Sequence, residues 1–181
     1  MRKDLGKQPA VFPMPVLMVA AYDDKGTVQV MNAAWGMICD MDRIALFIDE
    51  DHATTKAIRA TKAFTVSIAD KDHMDVADYF GIATGNKIPD KFARSGYHQE
   101  KSVHVNAPVI TEFPVTMECE LAEIMDTENL HAVVGRISGM TPGIKIRRNW
   151  MKPLMRLIMP QTVSTRYYSN TRIRIIIQRT A

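Results

Sequence analysis

Seven apolar residues in a row, Val16-Leu17-Met18-Val19-Ala20-Ala21-Tyr22, run into Asp23-Asp24-Lys25-Gly26 and emerge as the alternating Thr27-Val28-Gln29-Val30-Met31. A buried strand, a glycine turn and a period-two return strand describe a β-hairpin, and a hairpin commits this part of the chain to antiparallel pairing. Short β-branched or aromatic runs recur at 43–49, 64–68, 115–121 and 131–137, which brings the expected strand count to six. Between them lie brief helical patterns. Asp51 stands as a cap ahead of 54–60, Asp72 precedes a stretch in which Val76 and Phe80 share a face, and Pro89 opens 90–93. Mostly antiparallel strands with a few short helices predict a mainly β fold, an antiparallel β-barrel with peripheral helices rather than a βαβ sheet.

At 181 residues the chain is long enough to bury a full core and house a ligand pocket without disulfides or structural metal. No apolar stretch approaches the roughly 20 residues a membrane-spanning helix needs. The start Met-Arg-Lys-Asp-Leu-Gly-Lys lacks the pattern of a secretory signal, so the expected location is cytoplasmic. Cys39 and Cys119 form no CxxC pair, and each sits among apolar neighbours, where an inert buried thiol is the usual case.

Net charge is unevenly placed. Residues 142–181 hold nine Lys/Arg and no Asp or Glu, leaving 14 basic and 20 acidic residues in 1–141. This divides the chain into a domain at 1–141 and a basic C-terminal segment at 142–181.

Familiar catalytic signatures are missing. The sequence has no G-x-G-x-x-G, no P-loop, no G-x-S-x-G and no HExxH, and Asp70, Asp72 and Asp75 lack the rest of a calcium loop. No catalytic residue and no metal ligand is assigned. Small residues, an indole and a hydroxyl-rich helix start instead crowd into 31–60.

Three blocks carry a resemblance. The first is Pro13-Met14-Pro15-Val16 leading through Gly26 to Met31-Asn32-Ala33-Ala34-Trp35. The second is Asp51-His52-Ala53-Thr54-Thr55-Lys56-Ala57-Ile58 with Lys62-Ala63-Phe64-Thr65-Val66-Ser67. The third is Asp78-Tyr79-Phe80-Gly81-Ile82-Ala83-Thr84-Gly85 with Asp90-Lys91-Phe92, Ala107-Pro108-Val109-Ile110 and Glu118-Cys119-Glu120-Leu121. In order and spacing, from Pro13 to Gly139, they resemble the flavin reductase-like, FMN-binding split-barrel family in its flavoredoxin branch. The resemblance implies a Greek-key antiparallel split β-barrel that forms a homodimer and binds FMN near the subunit interface. It also implies an oxidoreductase that passes reducing equivalents from NADH, NADPH or a redox protein. An electron-carrier module without its own turnover is the alternative.

FMN presents a phosphate dianion at one end and a flat isoalloxazine at the other. Thr54, Thr55 and Lys56 in the first turn of a helix suit the phosphate, because free N–H groups, the helix dipole, two hydroxyls and an ammonium all favour an anion. Filling of a helix start capped by Asp51 is the plainer reading of the same residues. Asp51 is expected to face solvent or Lys56, and His52 offers a further donor. Ala33 and Ala34 leave room for the isoalloxazine edge, and the Asn32 amide matches its donors and acceptors. Trp35 reads equally as a flavin contact and as a core or dimer-interface aromatic. Lys91 and Phe92 resemble a pair that approaches the flavin region in this family, and read equally as a surface lysine beside a core phenylalanine.

After Gly139 the family pattern stops. The abrupt loss of every acidic residue suggests a reading-frame shift near residue 142. A natural basic tail for nucleic acid, an acidic lipid surface or an acidic protein partner is the other reading, with nucleic acid the weaker of these expectations.

Overall fold

The computed structural model describes residues 13–142 continuously, together with Asp4, 6–9 and Val11; the basic segment from 143 onward lies outside the described residues. Nine strands and three α-helices follow in chain order: β1 Leu17–Tyr22, β2 Val28–Ala33, β3 Gly36–Asp40, β4 Arg43–Leu46, α1 Ala53–Thr61, β5 Ala63–Ile68, α2 Met74–Ile82, α3 Lys91–Arg94, β6 Gln99–Lys101, β7 Pro108–Ile110, β8 Val115–Thr127 and β9 Leu130–Pro142. Six of the nine match the six expected strands. The other three, β3, β6 and β7, are short, and β3 and β6 carry mostly exposed residues that show no alternation.

Seven strands form one antiparallel sheet in the order β2-β1-β5-β8-β9-β4-β3. Its two edge strands, β2 and β3, are consecutive in the chain, with only Ala34 and Trp35 between them. Three residue steps reach at most about 11 Å, so the sheet has to curl until its edges meet. The edges are not hydrogen-bonded to each other, and the barrel is therefore split at the Ala34–Trp35 link. This is the mainly β antiparallel split barrel that the sequence predicts.

Strand parity separates two cores. Leu17, Val19 and Ala21 of β1 point into the barrel with Ala33, Ile44, Leu46, Phe64, Val66, Met117, Cys119 and Val133, and α1 adds Ala57 and Ile58 to this interior. Met18 and Ala20 point to the other face, where Val28, Val30, Ala77, Phe80, Phe92, Ile110 and Phe113 form a second cluster under α2 and α3. At 25 cal/mol per Å² of apolar area, each fully buried Leu, Val or Phe in these clusters contributes about 1.5–3 kcal/mol.

Buried Glu118 fastens the loop after β6 to the barrel. It accepts hydrogen bonds from Ser102 Oγ, Thr141 Oγ1 and the His104 N–H. Burial acts to raise this carboxyl, but the three donors outweigh it and hold it below its usual value. Pro142 pairs with Val115, so β9 continues three residues beyond the point where the family pattern fades in the sequence.

Candidate functional site

A cavity of about 330 Å³ opens at the split. It is lined by Met31, Asn32 and Ala33 from the end of β2 and Ala34 and Trp35 from the β2–β3 link, by Phe47, Ile48, Asp49 and His52 from the segment leading into α1, and by Asn129, Leu130 and His131 at the tip of the β8–β9 hairpin. That volume lies within the range of small-ligand pockets, about 300–1,000 Å³. Topology explains its position: the link that closes the barrel leaves an unpaired gap, and Ala33 and Ala34 keep that gap open.

Helix α1 starts beside this cavity. Its N-cap is His52, in extended conformation, and not Asp51 as the sequence suggested; no side chain caps the helix and no acidic residue occupies its first turn. The first bond of the helix runs from the Lys56 N–H to the His52 carbonyl at 3.0 Å. The N–H groups of Ala53, Thr54 and Thr55 precede it and have no intrahelical acceptor. Asp51 is exposed, as expected, and its carbonyl accepts from Asn86 Nδ2 at 2.9 Å.

The three phosphate candidates separate. Thr54 and Thr55 are buried, and Lys56 is exposed. Two buried polar atoms in this turn, His52 Nδ1 and Thr55 Oγ1, have no hydrogen-bond partner among the described residues. An orphaned buried polar atom costs about 1–3 kcal/mol, so a helix start that carries two of them and no carboxylate is better suited to an anion than to an empty protein. Gln29 Oε1, a third orphan, lies where the 83–88 loop meets the same helix. A Cβ on Gly85 would stand 2.7 Å from that oxygen and 2.9 Å from Ala53 Cβ, so only glycine lets the loop pack this closely.

Asn32 corrects the sequence reading. Its Nδ2 donates to the Ala77 carbonyl of α2 at 3.0 Å, because residue 32 alternates with Ala33 and so faces the second cluster rather than the barrel. Asn32 still borders the cavity, but its amide Nδ2 is engaged by α2. Trp35 is 61% exposed, which removes the core reading and leaves an indole at the cavity mouth.

Lys91 and Phe92 line no part of the cavity of their own barrel. Lys91 is 3% exposed, not a surface lysine, and its Nζ donates to the carbonyls of Phe80 at 3.1 Å and Ala83 at 2.6 Å. It thus caps the C-terminal carbonyls of α2. Burial pushes its ammonium down to about 8, against the pull of those carbonyls toward the cation. Phe92 stacks on Phe80 with centroids 6.3 Å apart.

Cysteine chemistry divides by burial. Cys119 lies inside the barrel, where burial and then the Glu118 charge push its thiol up to about 12. Cys39 is exposed on the edge strand β3, contrary to the buried thiol expected from its apolar neighbours.

The cavity residues that sequence reading left out are Met31, Phe47, Ile48, Asp49, Asn129, Leu130 and His131. Phe47 to Asp49 stand just before a helix start already singled out, and that adjacency was a usable signal. Residues 129–131 come from a hairpin tip almost a hundred residues from Ala33 in the chain, a proximity only the strand order creates.

A split barrel of this order, with a ligand-sized cleft at the split and an anion-ready helix start beside it, defines a cofactor-binding class of β fold. The chain belongs to the flavin reductase like domain family, whose family model matches residues 10–149. The flavoredoxin of Desulfovibrio vulgaris (Miyazaki F) has the same fold at TM-score 0.75 and 27% identity, the match covering 100% of this chain and 96% of that one. The flavoredoxin from Methanosarcina acetivorans matches at TM-score 0.71 and 20% identity, over 82% of this chain and 78% of its own. A curated relative, an uncharacterized protein of Aeropyrum pernix, is 25% identical over 124 residues, which are 67% of this chain; the matched region spans about half of that relative's length, 46%. Family membership supports a flavin cofactor and flavin-linked oxidoreductase function. Among the described residues no helix is long and apolar enough to cross a membrane.

Proposed function

We propose that this chain is an FMN-binding oxidoreductase of the flavoredoxin or NAD(P)H:flavin reductase type. It acts in the cytoplasm as a homodimer and passes reducing equivalents from NADH, NADPH or a redox protein through FMN held at the barrel split. Residues 1–141 make the flavin unit, and 142–181 is a basic, divergent C-terminal segment whose first residues still fall within the family match.

One observation carries the reading: a helix start with no side-chain cap and no acidic residue in its first turn, carrying the orphaned His52 Nδ1 and Thr55 Oγ1, adjoins a cavity lined by Ala33, Ala34 and the exposed Trp35, with Asp49 its one acidic lining residue. The residues fit the group. The N–H groups of Ala53, Thr54 and Thr55 would hold the phosphate at the positive end of the α1 dipole, and the His52 and Thr55 side chains would add donors. Lys56, exposed on the same turn, supplies long-range attraction rather than a buried contact. Ala33 and Ala34 would admit the isoalloxazine edge, and Trp35 would shield it from water. Bound FMN supplies hydride and single-electron chemistry that no side chain here offers, while the chain binds and orients it.

The same edge supports the homodimer. Met37, Ile38 and Met41 are exposed beside Trp35 on the β3–β4 hairpin, and an apolar patch on an edge strand is a surface that proteins cover. A second copy would cover it and shut the cavity mouth. The test is anaerobic addition of NADH, NADPH and a reduced ferredoxin to the FMN-loaded protein, followed at the flavin absorbance. Bleaching by a nicotinamide nucleotide supports the reductase, and bleaching by the redox protein alone makes the chain an electron carrier. No bleaching by any of the three refutes the reading.

A further inference from the structure

The β8–β9 hairpin outruns the sheet. β5 pairs with β8 only from Val115 to Glu120, and β4 pairs with β9 only from Val133 to Arg136. β8 and β9 stay paired with each other as far as Thr127 and Leu130. Residues 122–132 are therefore a two-stranded arm without a third strand beside it, and from Ala122 to Leu130 every residue but the half-buried Ile124 is exposed. A two-stranded hairpin in water is marginally stable at best. Yet the tip of this arm supplies Asn129, Leu130 and His131 as one whole wall of the cavity.

A single polar link ties the arm to α1 among the described residues. Arg59, in the last turn of the helix, donates through Nη2 to Asp126 Oδ2. The same guanidinium stands 3.8 Å from Glu50, and Asp126 Oδ1 lies 3.3 Å from Nδ1 of His131. Hydrogen bonding to Arg59 holds the Asp126 carboxyl below its usual range. One helix of nine residues, about 13 Å long, thus offers its open N–H groups to the cavity at one end and grips the opposite wall at the other.

We propose that Arg59 and Asp126 are positioning residues for the flavin cavity: their ion pair latches the β8–β9 arm against α1 and sets how long the cofactor stays. The inference rests on the flavin reading above. Both partners are about one-third exposed, and exposed ion pairs are weak and screened by salt. The latch therefore opens readily, and the arm is a gate rather than a fixed wall. His131 joins the network through Asp126, so its ring is oriented at the cavity by the same contact.

The test compares wild type with Arg59→Met, Asp126→Asn, the double variant and Arg59→Lys. FMN dissociation is followed by recovery of flavin fluorescence on dilution. Dissociation from R59M and D126N is expected to be about 2–5-fold faster than from wild type. The double variant is expected to match the single ones, as for two residues sharing one interaction, and R59K to recover part of the retention. Raising salt narrows the gap between wild type and R59M, because the ion pair that separates them is screened while the phosphate contacts are common to both. A second readout needs no flavin: hydrogen exchange at the amides of 122–132 in the cofactor-free protein rises in R59M, while exchange in β1 and β5 does not. Equal FMN release and equal arm exchange in wild type and R59M overturn the latch. A wild type that takes up no FMN overturns the flavin reading and the retention role with it, and the arm exchange shows that failure to be separate.

Discussion

Replacing His52 with Asp sets two consequences of the helix start against each other. His52 already holds the extended backbone of an N-cap but makes no capping bond, so an Asp there accepts from the open N–H groups of the first turn. A good cap is worth about 0.5–2 kcal/mol. With about 2–4 °C per kcal/mol in a chain of this size, the cofactor-free melting midpoint should rise by about 1–8 °C. The same carboxylate occupies a donor intended for the FMN phosphate and cancels the helix dipole. A lost hydrogen bond to a charged group and the lost dipole together cost about 2–3 kcal/mol, or roughly 30- to 150-fold in Kd. His52→Asn is the control, because it caps nearly as well without charge; its stability gain should match that of Asp and its affinity loss should be clearly smaller. Thermal melts of the cofactor-free proteins and fluorescence titration with FMN read the two effects separately. A variant H52D that is stabilised yet binds FMN as tightly as wild type would falsify the phosphate assignment. One that is destabilised would show that the first turn is not open.

Three further outcomes follow from named groups. Thr55→Val removes a buried hydroxyl without a partner, so the cofactor-free protein should be stabilised by about 1–3 kcal/mol while FMN affinity falls about tenfold or more; Thr55→Ser should keep the affinity. Lys91 titrates at about 8 when folded against its ordinary 10.5, so the unfolded chain binds more protons between those values and stability contributed by this site rises with pH across that window. Urea denaturation at pH 7.5 and pH 10 should show wild type gaining on Lys91→Met over that interval, and a constant difference would contradict the lowering of the Lys91 ammonium by burial. Cys119, buried and pushed up to about 12, should react with an aromatic disulfide reagent only on unfolding; fast modification of Cys119 in the native protein would contradict the packing of the barrel interior.

The hairpins and the barrel class were legible because alternation and turn residues are local. Val16 to Met31 show both halves of β1–β2 pairing within a few residues of each other. β3 was not legible: Gly36-Met37-Ile38-Cys39-Asp40 forms a strand at an exposed edge, where no buried face imposes a period. The start of α1 was placed to within two residues, but the identity of its cap was not, since Asp51 and His52 are both possible from composition and only the backbone decides. Asn32 carried a readable clue. It alternates with Ala33 on one strand, and side chains of consecutive residues cannot share a face, so an amide and an alanine were not both able to face the flavin. Lys91 was beyond local reasoning, because its partners are carbonyls at the end of α2, and a lysine among Asp90 and Arg94 looks like solvent-facing charge. The contact of Arg59 with Asp126, 67 residues away, depends wholly on strand order.

The central claim is that FMN occupies the barrel split. The most direct measurement is the visible absorption spectrum of the purified protein, with the chromophore then released, identified and counted per chain. The expected result is a yellow protein, or a colourless one that turns yellow on adding FMN, holding one FMN per chain and losing it in the His52→Asp variant. A folded, colourless protein whose spectrum and melting midpoint ignore added FMN would contradict it.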